Sequence, residues 1–202
     1  MEEESKPGTK TRIFNAALRL FATRGVENAS TRDIATEAGI NIASIYNYYE
    51  SKDQIVDACY DLYLDYHDIN KPNEEQYTQI LLTGTKEEVV NVPNFQFPEE
   101  MEQNLIYAMT VLFSKIYTDV RASEKYSRIV ERSMVFLQDF LGKGIEIGRF
   151  ERFNVRIVSM LFLSARLFAA QSTTLHPKTL RDFGFDQLEI MKELINNIPF
   201  KY

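Results

Sequence analysis

The chain has 202 residues, 45% hydrophobic and 26% charged, with a formal net charge of −6. That is ordinary globular composition, long enough for one large domain or a small one joined to a larger one. A single cysteine, Cys59, excludes an intrachain disulfide, the acidic start MEEESKPG is no signal peptide, and no run of about 18 apolar residues offers a membrane span; a cytoplasmic protein with no membrane partner is expected.

Strand signals are nearly absent and the hydrophobic spacing is helical throughout. A first helix spans residues 9–24, with Ile13, Ala17, Leu20 and Phe21 on one face, Arg12, Arg19 and Arg24 available to solvent, and Gly25 as its stop. Ser30 or Thr31 caps a second helix, whose Ile34, Ala35 and Ala38 turn inward until Gly39 ends it. Asn41 caps a third, from which Ile45 and one or two of Tyr46, Tyr48 and Tyr49 reach the core. Ser51, with Gln54 three residues on, opens a fourth helix by a capping-box arrangement, and Lys71-Pro72 closes it.

Two short helices joined by a tight glycine turn make a helix-turn-helix, whose second helix lies in the DNA major groove. The charge distribution agrees, since residues 5–52 carry seven basic and four acidic side chains inside an otherwise acidic chain. Asn41, Ile42 and Ala43 head the second helix, where the small Ala43 allows close approach to the bases. Tyr46 follows about one turn along the same face. Ser44, Asn47 and Tyr48 offer neutral groups for phosphate oxygens, and Lys52 adds a charge. Tyr49 reads instead as a core residue with a wet hydroxyl.

The segments ALRLFATRG, STRDIATEAGI and IYNYYESKDQI, in this mutual spacing over residues 12–59, closely resemble the DNA-binding domain of TetR-type transcriptional regulators. The resemblance implies that Arg32 joins Asn41, Ile42, Ala43 and Tyr46 at the bases. It likewise puts Thr31 with Ser44, Asn47, Tyr48 and Lys52 at the phosphate backbone of a palindromic double-stranded operator. Two positions depart from the family pattern: many members have glycine in place of Ala43 and a polar or basic residue in place of Ile42. An isoleucine there can meet only a thymine methyl.

Beyond Pro72 the chain stays helical. Gly84 breaks it, and Thr85 and Glu88 are spaced to cap a short helix. Residues 92–100, with Pro93 and Pro98, read as an irregular connector. Long helices are expected over 99–121, 124–147 and 154–173, the second weakened near its end by Gly142, Gly144 and Gly148, and a last helix over 185–197. The 154–173 segment is apolar nearly all round, so every side of it needs cover. The resemblance implies that it and 185–197 pack against a second copy in a four-helix bundle, giving a homodimer. It also implies a pocket for a small-molecule effector. Candidate lining residues are Tyr107, Met109, Phe113, Tyr117, Met134, Phe136 and Phe140, with Met160 and Phe168 as further possibilities. As a set they suggest an apolar effector, although aromatics and methionines also fill ordinary cores. Arg166, isolated in an apolar helix, either snorkels, makes a buried pair or holds an anionic group of the ligand.

No enzyme chemistry is legible. His67 and His176 lie far apart and out of metal-ligand spacing with Cys59, which reads as a small buried hydrophobe, and neither a phosphate loop nor a nucleophile elbow occurs; no cofactor is expected. The expected protein is all-α. It comprises a disordered acidic segment 1–8, a three-helix DNA-binding domain 9–52, a connecting helix 53–70, and a larger helical ligand-binding and dimerisation domain 71–202. Its expected function is a DNA-binding regulator, a repressor released by its effector. The rival class is a helical protein-interaction scaffold without DNA binding.

Overall fold

The computed structural model describes residues 8–69, 71–92, 99–175 and 197, and every regular element among them is helical. They are α1 (Thr9–Arg24), α2 (Thr31–Ala38), a 3-10 helix (Ile42–Asn47), α3 (Lys52–Ile69), α4 (Glu74–Thr83), α5 (Lys86–Asn91), α6 (Glu99–Lys115), α7 (Val120–Glu146) and α8 (Val155–Leu175). None of the described helices is long and apolar enough to cross a membrane. Residues 1–7, the expected helix 185–197 except Asn197, His176 and the side chains of Arg166 and Phe168 lie outside what is described.

Local chemistry sets most of the ends. Gly25, at φ +87°, stops α1 and returns its N–H to the Phe21 carbonyl. Ser30 caps α2 in a full capping box with Asp33, and Thr85 does the same for α5 with Glu88. Asn73 and Gln76 form a third such box, which starts α4. The break between α6 and α7 falls earlier than the sequence suggests, at residues 116–119. Asp119 is the reason. Its carboxylate accepts the Arg121 N–H at 3.0 Å and its carbonyl accepts the Ser123 N–H, so α7 begins there.

The chain forms two compact units, and neither follows a boundary at residue 71. The first comprises Met1–Asp65 with Pro98–Tyr126; the second comprises Tyr66–Phe97 with Ser127–Tyr202. In the first, α1 packs on α2 and on α6. Ile13, Ala17, Leu18, Ile34, Ile45, Ile55, Leu112 and Ala122 are fully buried there. Cys59 is also fully buried, and desolvation pushes its thiol pKa up to about 12, so it serves as a small core hydrophobe. Around this core, the Tyr60 hydroxyl donates to Asp119 at 3.3 Å, Arg121 grips Asp119, and Lys125 pairs with Asp57 and Asp61.

The second unit is built on Tyr77, Leu81, Val89, Phe136, Leu137, Phe140, Leu141, Phe150 and Phe162. Tyr77 meets Phe136 and Phe140 edge-on at 5.9 and 5.8 Å, a favoured aromatic geometry. Arg149 donates to the Gly84 carbonyl at 2.7 Å and so ties the α7–α8 connection to the end of α4.

Two glycines of α7 make opposite predictions. A Cβ on Gly144 would stand 2.2 Å from Phe150, whose ring is 1% exposed and enclosed by its neighbours. Gly144→Ala should cost about 1–3 kcal/mol by overpacking and lower the thermal midpoint by several degrees. Gly142 has no described atom within 4 Å of such a Cβ. Gly142→Ala should raise the midpoint, by about 0.5–1 kcal/mol in helix propensity. Circular-dichroism melts of the two variants beside the unmutated protein check both signs.

Candidate nucleic-acid interface

Helix α2 ends at Gly39, which sits in the left-handed region (φ +64°, ψ 43°), and the Ile40 N–H reaches back to the Ala35 carbonyl. Only glycine takes that conformation without strain, and it turns the chain sharply into the next segment. Two residues on, the Asn41 side chain accepts the Ala43 N–H at 2.9 Å. Asn41 is thus a cap, as its position suggests, but the segment it opens is a 3-10 helix rather than an α-helix. Ser44 bonds back to Asn41 and Tyr48 to Ile45, both three residues apart, and only six residues are available before the chain turns again. So short a piece, with one buried side chain, gains little from α-helical geometry.

That buried side chain is Ile45, 0% exposed. Around it Asn41, Ala43 and Asn47 are exposed and Ser44 is half-buried. Ile42, Tyr46 and Tyr48 are exposed at 37%, 55% and 43%, high values for large apolar or aromatic groups. On α2, Arg32 is exposed and Thr31 half-buried. Tyr49 is 6% exposed and belongs to the core, as expected. Hydrogen bonds from the Ser30 side chain and backbone hold the Asp33 carboxyl below its ordinary range, so it stays ionised at the head of α2.

Two cations have partners that the sequence does not reveal. Lys52 Nζ donates to the Val26 carbonyl at 2.8 Å and the Ala29 carbonyl at 3.1 Å, pinning the α1–α2 connection to the start of α3. One of its three N–H bonds is left for another acceptor. Arg12, expected to face solvent, is half-buried and donates to the Ala38 and Gly39 carbonyls. Both partners lie more than 20 residues away, so no local pattern could have found them.

The candidate effector-lining residues fall in both units. Phe136 and Phe140 are closed into the aromatic core of the second unit, with Met134 packed against it. Met160 is 61% exposed on α8. Met109 is buried in the first unit, where Phe113 packs edge-on against Tyr126 at 5.6 Å. Tyr117 is 93% exposed, because α6 stops at Lys115 and the following turn carries the ring outward, so it walls no enclosed cavity. Tyr107 lines an open cleft of about 320 Å³ with Arg12, Asn15, Arg19, Glu37 and Asn104. Ala16 and Ala38 complete its lining, so that the cleft is of mixed character and open to solvent.

Residues 13–59 match the family profile described as bacterial regulatory proteins, tetR family. Over 64 residues the chain is 38% identical to the HTH-type transcriptional repressor KstR2 of Rhodococcus jostii, covering 32% of this chain and 31% of that one. The chain thus spans about a third of the length of the KstR2 relatives it matches. The fold extends much further. The TetR family transcriptional regulator PfmR of Thermus thermophilus superposes with a TM-score of 0.65 at 21% identity, covering 92% of this chain and 95% of that one. The ketosteroid transcriptional regulator KstR2 of Mycobacterium tuberculosis does so with a TM-score of 0.64 at 20% identity, covering 96% of each. Residues 13–59 thus match the tetR-family profile, and over nearly its whole length the chain has the fold of these solved regulators.

Proposed function

We propose that this protein is a sequence-specific transcription regulator that binds a palindromic double-stranded operator as a homodimer, represses there, and is released by a small apolar effector in the cytoplasm. One observation carries the reading: Ile42–Asn47 buries Ile45 alone and turns Ile42, Ala43, Tyr46 and Asn47 to solvent. An isolated protein has no use for a tyrosine and an isoleucine held in water on a short helix, whereas a major groove offers base edges and thymine methyls. In this reading Asn41, Ile42, Ala43, Tyr46 and Arg32 meet bases. Thr31, Ser44, Asn47, Tyr48 and the remaining N–H of Lys52 meet phosphates. The repressor name belongs to KstR2, and its transfer to this chain rests on the shared N-terminal segment.

The second copy is supported by α8. Ile157, Met160 and Leu161 are exposed at 56%, 61% and 53%, spaced to form one stripe, while Phe162 and Leu163 on the opposite side are buried. A dimer would hold two recognition segments about 34–36 Å apart, one helical turn of DNA. An effector acts by preferring a conformation in which that spacing is wrong, since equal affinity for both states shifts nothing.

Four sets of measurements test this. Gel retardation should show binding that weakens steeply with salt; no retardation at low salt would point to a protein-binding scaffold instead. Tyr46→Ala and Arg32→Ala should each lose about 1–3 kcal/mol of operator affinity while keeping random-DNA binding and fold. Lys52→Ala should weaken operator and random DNA alike, and should also lower the thermal midpoint because two carbonyls lose their donor. For the dimer, Ile157→Glu combined with Met160→Glu should give folded monomers by light scattering, whereas Leu163→Glu, 5% exposed within its own unit, should unfold the protein. Intact dimers of the double variant would remove α8 from the interface.

A further inference from the structure

The Ile42–Asn47 segment has little of its own to fix its angle. It holds one buried side chain and short-range hydrogen bonds, so its aim depends on what pins its two ends. Downstream, Tyr49 is buried and Lys52 is bonded to the Val26 and Ala29 carbonyls. Upstream, the segment leaves Gly39 after only Ile40 and Asn41.

At that upstream end α2 presents unpaired carbonyls and the negative pole of its dipole. A single nitrogen of Arg12, Nη2, donates to both Ala38 and Gly39 carbonyls, the second at 3.2 Å. The guanidinium lies against Gly39 itself: a Cβ built there would be 3.2 Å from Nη2. Because Arg12 stands on α1, whose inner face is locked into the core by Ile13, Ala16 and Ala17, it references the α2 end to the rigid part of the unit. A second tie, Arg19 to Glu37, joins the same two helices, but it is a more exposed ion pair and such pairs hold geometry weakly.

We propose that Arg12 is a positioning residue for base reading: by bridging the Ala38 and Gly39 carbonyls it sets the angle at which Ile42–Asn47 meets DNA, without contacting DNA itself. This rests on the DNA-binding reading above and adds a residue outside the helix-turn-helix to it. A guanidinium suits the task, since one of its charged NH2 groups donates to both carbonyls at once.

The test uses the full-length protein. Duplexes bound by the unmutated protein are selected from a random-sequence pool, and affinities for the selected duplex and for a scrambled one are measured at several salt concentrations. Failure of the unmutated protein to select any sequence would sink the DNA-binding reading, leaving Arg12 a separate matter. Given a selected duplex, Arg12→Met should lower the ratio of selected to scrambled affinity about tenfold or more. It should leave the scrambled affinity and its salt slope unchanged, and Arg12→Lys should recover part of the ratio. An equal loss on both duplexes with a shallower salt slope would make Arg12 a phosphate contact and overturn the proposal. An unchanged ratio with a lowered melting temperature would overturn it too. So would an Arg12→Met chain unfolded at the assay temperature, since Arg12 would then hold the fold rather than aim the segment.

Discussion

The way the first unit presents residues 41–48 follows from Ile45. It is the one fully buried side chain between Gly39 and Tyr49, and its burial anchors a 3-10 helix too short to stand alone. With Ile45 inward, the neighbouring residues have no choice of face, and Ile42, Ala43, Tyr46 and Asn47 go to solvent. The glycine turn before it and Tyr49 after it confine the chain to that arrangement. A surface carrying a methyl-rich side chain, an amide and a phenol is thereby presented by backbone geometry rather than by side-chain choice alone.

The surrounding polar groups tie helices to one another through main-chain carbonyls. Arg12 and Lys52 both end on carbonyl oxygens, and Arg149 does the same in the second unit. Such bonds satisfy acceptors that helix ends and turns would otherwise leave unmet, and a charged donor strengthens them. The two units differ in what fills them. The first mixes aliphatics with a polar seam of Tyr60, Asp119, Arg121 and Lys125, whereas the second gathers Tyr77, Phe136, Phe140 and Phe150. In the second unit, small residues matter where rings come close, as Gly144 does beneath Phe150.

Much of this was legible in the sequence where the cause is local. Capping boxes, a glycine with positive φ and a buried face at helical spacing act within a few residues, so Ser30, Thr85, Gly25 and Gly39 announce themselves. What escaped is non-local. Asp119 caps α7 through its near neighbours Arg121 and Ser123, yet the hydroxyl that reaches its carboxylate comes from Tyr60, far back in the chain. Leu105, Ala108 and Leu112 make an apolar face that could have served any core, yet α6 packs on α1. On α8, apolar residues occur all round, so periodicity could not say that Leu163 turns inward and Met160 outward. Lys52 carries the charge expected at a phosphate, but its first partners are carbonyls of its own chain.

The measurement that bears most directly on the central claim is sequence enrichment. Fragments of the source genome would be incubated with the purified protein at near-physiological salt, and the bound fraction sequenced. The account predicts enrichment of an inverted repeat whose half-sites are centred about one helical turn, or a multiple, apart. It further predicts that replacing Ile42, Ala43, Tyr46 and Asn47 together abolishes that enrichment without unfolding the protein. Recovery of fragments with no shared sequence, or of the same repeat after those four replacements, would contradict it.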